Sequence, residues 1–167
     1  MSQASANRPC STENTLIMEA QNRCPECGVS WREDLTCQDH WYHALSWESE
    51  YPDKTLAVHH LLVLCYHLQH PHLYSPQGLE GAQRLLMAFV QDGLTPAEAR
   101  RRQRGVLDSG RRAWKITGVP TSYGAYVHPI EWPVTIVDIT SGDLDGYIAR
   151  VQAWARSMLE ALKTSGN

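Results

Sequence analysis

The sequence predicts a mainly α fold, a single-domain bundle of helices, and three observations predict it. Apolar side chains recur at helical spacing in several long segments, residues that cap helices stand in front of those segments, and alternating strand-like runs are short and few. Six Trp and seven Tyr supply large rings for one core. A chain of 167 residues can bury about two thirds of the surface it exposes when unfolded.

Residues 1–20 are polar and read as a flexible tail, with a single domain over residues 21–167. The first long helix is expected from Thr36 to Glu50, with Thr36 as its cap and Trp41, Leu45 and the aliphatic part of Glu48 on one period. Tyr51-Pro52 breaks it, because proline disfavours helix at the residue before it. The next helix runs from Thr55 to His70, capped by Asp53 or Thr55 and ended by Pro71. It is apolar around most of its circumference, with Leu61, Leu64, Cys65 and Leu68 in one stripe, which is the pattern of a buried helix.

A third helix is expected over Leu79–Gln91, with Leu85, Leu86, Phe89 and Val90 inward and Gly93 just past its end. Thr95-Pro96-Ala97-Glu98 joins a cap, a first-turn proline and an acid three residues on, and starts a fourth helix that runs toward Asp108-Ser109-Gly110. From Trp114 to Pro133 the chain is irregular. Short β pairing is expected at Trp114–Thr117 and Val134–Val137. A last helix is read from Asp143 to Lys163.

Several function classes fall away. No apolar run approaches the ~20 residues of a membrane span, and the start, Met1-Ser2-Gln3-Ala4-Ser5, lacks the basic and apolar regions of a secretory signal. Five cysteines, an odd number with one close pair, suit thiolate chemistry in a reducing, cytoplasmic setting better than a disulfide framework. No Ser-His-Asp order, His-Glu-x-x-His motif or phosphate-binding glycine loop is present.

The chemistry gathers in cysteine and histidine. Cys24-Pro25-Glu26-Cys27-Gly28 has the form of a zinc knuckle: two thiolates three positions apart grip one tetrahedral ion while the backbone between them turns. The competing redox reading needs a helix that starts at the motif inside a βαβ frame, and the sequence after Gly28 offers neither. Cys37, at the first turn of a helix, is the third candidate ligand. If helices 36–50 and 55–70 are antiparallel about a turn near Pro52 and Asp53, Cys37 lies opposite residue 68, within reach of His67 and His70. His40, on the same helical face as Cys37, is the local competitor. His70 is preferred, because a ring at a helix end can turn toward the knuckle, and the expected zinc site is Cys24, Cys27, Cys37 and His70.

His59 shares a face with Val63, Tyr66 and His70, and that face can line a polar cavity or a second metal site with Glu48 or Glu50. The plainer expectation for His59 and His60 is that of core histidines with satisfied hydrogen bonds. Cys65, among leucines, reads as a packing residue. Residues 96–115 carry seven basic and two acidic side chains, whereas residues 1–95 carry five basic and eleven acidic ones. A phosphate-contacting strip is one reading of Arg100, Arg101, Arg102 and Arg104. A solvated helix with i,i+4 pairs such as Glu98–Arg102 is the favoured one.

The run Val58-His59-His60-Leu61-Leu62-Val63-Leu64-Cys65-Tyr66-His67-Leu68-Gln69-His70-Pro71 resembles the signature of a bacterial family known only as a domain of unknown function, whose core reads Val-His-x-Leu-x-Val-x-x-Tyr-x-x-Gln-His-Pro. The likeness extends to Cys24 and Cys27, to Cys37, to Asp108-Ser109-Gly110 with Trp114, to Trp132-Pro133-Val134-Thr135 through Asp138, and to the Trp154 helix. It implies no activity. It does imply shared positions for His59 and His70, which favours His70 as fourth ligand with His59 as rival. The function expected is therefore a zinc-stabilised binding or interaction module with a protein partner. Two alternatives stay open: a metal-dependent, hydrolase-like enzyme that uses His59 or His67, and a nucleic-acid binder that uses the arginine helix.

Overall fold

The computed structural model describes residues 23–31, 35–103 and 115–167, and it is mainly helical. α1 spans Cys37–Glu50, α2 Pro52–Thr55, and a 3-10 turn over Leu56–Val58 leads into α3, His59–Gln69. After a second 3-10 turn, Pro71–Leu73, come α4 at Pro76–Gln91, α5 at Pro96–Gln103, α6 at Ile136–Thr140 and α7 at Tyr147–Ser165.

The starts of these helices follow from their caps. Thr36 and Asp39 form a reciprocal pair in front of α1: the Asp39 N–H donates to the Thr36 hydroxyl, and the Thr36 N–H donates to Asp39 Oδ2 at 2.8 Å. Thr95 and Glu98 repeat the device at α5. Ser75, not Leu79, sets the start of α4, since its side chain accepts from the Gly78 N–H at 3.0 Å with Pro76 in the first turn. Neither Asp53 nor Thr55 caps the histidine-rich helix; the Thr55 hydroxyl donates instead to the Tyr51 carbonyl, and the stretch expected as one helix is split into α2, the 3-10 turn and α3.

The expected β pairing does not form at residues 134–137. Thr135 and Asp138 make a third capping box, so Ile136–Thr140 is the helix α6. The β-branched run suggested a strand, but the Thr-x-x-Asp pattern decides. At the other predicted site, Thr117 makes a single antiparallel bridge to Tyr74, and Trp114 lies outside the described residues, as do Arg104 and Asp108-Ser109-Gly110. The last helix begins at Tyr147 rather than Asp143, whose side chain accepts from the Gly146 N–H.

The core sits around α3 and α7. Tyr147, Val151, Trp154, Ala155, Met158, Leu159 and Leu162 of α7 are buried, and Leu62, Leu64, Cys65 and Leu68 of α3 are buried with Leu86 of α4 and Ile136 and Ile139 of α6. Each such aliphatic side chain contributes about 1.5–3 kcal/mol by leaving water. The irregular segment after residue 115 is laid across the C-terminal end of α3. The Tyr126 hydroxyl donates to the Leu68 carbonyl and the Gln69 amide to the Val134 carbonyl, both at 2.7 Å. Ser75, Gly118 and Gly124 N–H groups close the contact by donating to Ile116, Leu73 and Tyr74 carbonyls. Gly78 and Gly118 permit that approach, because a Cβ on either would collide with a backbone carbonyl, of Ile116 or of His72. The segment thus braces the turn that follows His70.

Candidate metal centre

Three stretches of chain supply four side chains to one point. In the knuckle, the Cys24 N–H donates to the Val29 carbonyl at 2.8 Å and the Gly28 N–H to the Cys24 carbonyl at 3.0 Å. Gly28 has φ +71, the left-handed turn that glycine adopts without strain. The Arg23 side chain fastens the loop from outside by donating to the Gly28 carbonyl. Cys37 is the first residue of α1, and His70 closes α3 as its C-terminal cap.

The ligand atoms of Cys24, Cys27, Cys37 and His70 lie within 4.8 Å of one another, and the four residues are only 4–8% exposed. His70 Nε2 is 3.6 Å from Cys24 Sγ and 3.4 Å from Cys37 Sγ. A tetrahedron with metal–sulfur bonds near 2.3 Å and metal–nitrogen bonds near 2.05 Å has S···N edges of about 3.5 Å. The spacing and the donor set therefore suit one tetrahedral ion, and the cluster can hold a metal.

The surrounding groups prepare the donors. His70 Nδ1 lies 2.7 Å from the Tyr66 carbonyl, which can only accept, so Nδ1 carries a proton and Nε2 is the atom turned to the sulfurs. Burial first, then the nearby cysteine sulfurs, raise the pKa of the Tyr66 phenol well above 10. Its ring stacks on Trp41 at 4.4 Å and lies 4.3 Å from the His70 ring. Hydrogen bonds from Cys27 and then Cys37 push the Cys24 thiol far down, and the same crowding pushes Cys27 far up. Burial opposes a charge on His70, but its contacts with Cys24 and Cys37 outweigh that and raise it to about 10. A divalent cation bound here would take the place of protons on these donors, so binding would release protons.

The other histidines lie elsewhere. His40 is 2.6 Å from the Thr140 hydroxyl, bridging α1 to α6, and does not join the cluster. His59 donates to Glu48 at 2.5 Å. His60 rests against Phe89 and His67 between Trp41 and Tyr74. Cys65 is fully buried, and burial raises its thiol pKa. Among the described residues, no second group of three such side chains gathers as the first does.

Sequence reasoning missed one contributor. Glu26, in the middle of the knuckle, accepts from His72 Nδ1 at 2.5 Å and from the His72 N–H at 3.3 Å, tying the knuckle to the turn after His70. The partners are 46 residues apart, and nothing local pairs them.

No curated protein and no solved structure matches the chain. The profile of a family of unknown function (DUF5946) matches residues 22–163, a span that takes in the knuckle, Cys37, His70 and every described helix but the last two residues of α7. The chain belongs to that family of unknown function (DUF5946).

Proposed function

We propose that the protein binds zinc at Cys24, Cys27, Cys37 and His70, and that the metal is structural, closing a module that binds a protein partner. The observation that carries this reading is the burial of all four donors, from three separate stretches of chain, at tetrahedral spacing. Thiolate-rich donor sets select zinc over magnesium or calcium. Four protein ligands leave no position for a reacting water, which separates a structural site from a catalytic one. Tyr66, Tyr74, Tyr147 and Trp154 already give the core large buried rings, and the ion would add a tie between the knuckle and two helix ends that apolar packing alone does not make.

The helices give no reason to place the protein in a bilayer, as none of the described ones is long and apolar enough to cross it. Arg100, Arg101 and Arg102 are exposed at the end of α5, where they suit a solvated face. The test is elemental analysis of freshly purified protein together with thermal melting in chelator. One zinc per chain and a melting temperature that falls on chelation and recovers with added zinc support the reading. Metal-free protein with an unchanged melt overturns it.

A further inference from the structure

The pairing of α1 with α3 that joins Cys37 to His70 continues for three helical turns and ends in a second polar cluster. Cys37 meets His70; four residues on along α1, Trp41 meets Tyr66, four back along α3; seven further on, Glu48 meets His59, seven further back. Eleven residues of helix separate the two ends by roughly 16 Å.

At this far end Glu48 is a buried carboxylate, its side chain 4% exposed, with both oxygens engaged. Oε1 accepts from the Tyr147 hydroxyl of α7 at 3.1 Å, and Oε2 accepts from His59 Nδ1 at 2.5 Å. Tyr147 is itself fixed, fully buried with Trp47 edge-on at 5.8 Å, and burial together with the Glu48 charge keeps its phenol protonated. A carboxylate oxygen can only accept here, so the His59 proton sits on Nδ1 and Nε2 carries a lone pair. The His59 side chain is 49% exposed, and among the described residues nothing bonds Nε2. Tyr51, three residues after Glu48, and Leu56, three before His59, are large apolar side chains left about half exposed at the same corner. A buried acid that orients an imidazole through one nitrogen, with the second nitrogen turned to solvent, is an arrangement that general bases use.

We propose that His59 is the general base of a second site, with Glu48 and Tyr147 as its positioning residues, acting on a water or alcohol that attacks a small ester-like acyl group. Nε2 takes the proton of the attacking hydroxyl as its oxygen bonds the acyl carbon. The bond to the leaving alkoxide or phenoxide then breaks, and the imidazolium returns its proton to the leaving group or to solvent. The site needs no metal and is independent of the zinc reading.

The test uses the whole 167-residue chain, supplemented with zinc, and p-nitrophenyl acetate as the probe. His59→Gln is expected to lower the rate about a hundredfold, the lower end of what a positioned base contributes, with melting and zinc content unchanged. Glu48→Gln is expected to lower the rate of the folded variant and to mix the two His59 tautomers in the ring's nitrogen resonances, whereas a carboxylate that only holds the fold would leave the rate per folded molecule unchanged. Nitrogen NMR of the unaltered protein decides the matter even if the Glu48 variant fails to fold. A His59 ring protonated at Nδ1 and bare at Nε2 is expected; a ring protonated at Nε2, or a His59→Gln rate equal to that of the parent, overturns the proposal.

Discussion

One helix pair carries two polar ends, and they are opposites. At the knuckle end, three sulfurs and the His70 imidazole face one another with His70 only 4% exposed, so their bonding capacity is spent inward. At the far end, the acid is buried and the imidazole half in water, so one nitrogen is satisfied and one is not. The same antiparallel register places both histidines on one face of α3. What separates them is the neighbour: soft, low-polarity thiols tolerate burial together around an ion, whereas a carboxylate buried at 4% must keep hydrogen-bond donors and leaves the outer donor exposed. A position on a helix face therefore does not decide whether a histidine closes a site or opens one; its partner does.

The comparison breaks most readily at the sulfur end. Cys24→Ser or Cys27→Ser is expected to release the metal and to destabilise the fold by several kcal/mol, as loss of a structural zinc does, visible as a lost zinc stoichiometry and a melt that no longer responds to chelator. His70→Ala should do the same. His40→Ala should leave the zinc content intact and cost about 1 kcal/mol, the worth of its bond to Thr140, measured by denaturant unfolding. A reversed outcome for that pair would move the fourth ligand to His40.

At the carboxylate end a smaller loss is expected. Glu48→Ala strands the buried Tyr147 hydroxyl and should cost about 1–3 kcal/mol by chemical denaturation, with zinc content unchanged. Smallest is the acid response. His40 and His60 both have pKa values lowered, chiefly by burial, below the ordinary 6.5 of a free imidazole. The unfolded chain thus binds more protons than the folded one as pH drops through 6.5, so the stability these rings contribute is present above that pH and lost below it. His60→Gln should flatten the fall in melting temperature between pH 7 and roughly pH 5 without altering zinc content.

The helical character and the starts of α1 and α5 were legible because their signals are local. Thr36 with Asp39 and Thr95 with Glu98 announce α1 and α5 within four residues. The gathering of Cys24, Cys27, Cys37 and His70 was legible from cysteine spacing and an assumed antiparallel turn, although the partner of Cys37 sits at residue 70 rather than 68. The connection is a corner made of α2 and a 3-10 turn, not a point, and it shifts the register by two. Val134–Val137 was misread because β-branching outweighed a Thr135–Asp138 box that was equally present in the sequence. Glu26 with His72 was not legible at all, since a contact spanning 46 residues depends on the finished fold.

The placement of two ligands at helix ends has an electrical consequence. Cys37 opens α1 and His70 closes α3, so the ligand cluster lies where the positive pole of one peptide dipole meets the negative pole of another. Were a divalent ion held there by three thiolates, one negative charge would be left over, and the amino end of α1 would oppose it without spending a lysine or arginine. A proline placed in the first turns of α1 would for that reason do more than bend a helix: it would strip partial charge from the sulfur and loosen the ion through a residue that never touches it.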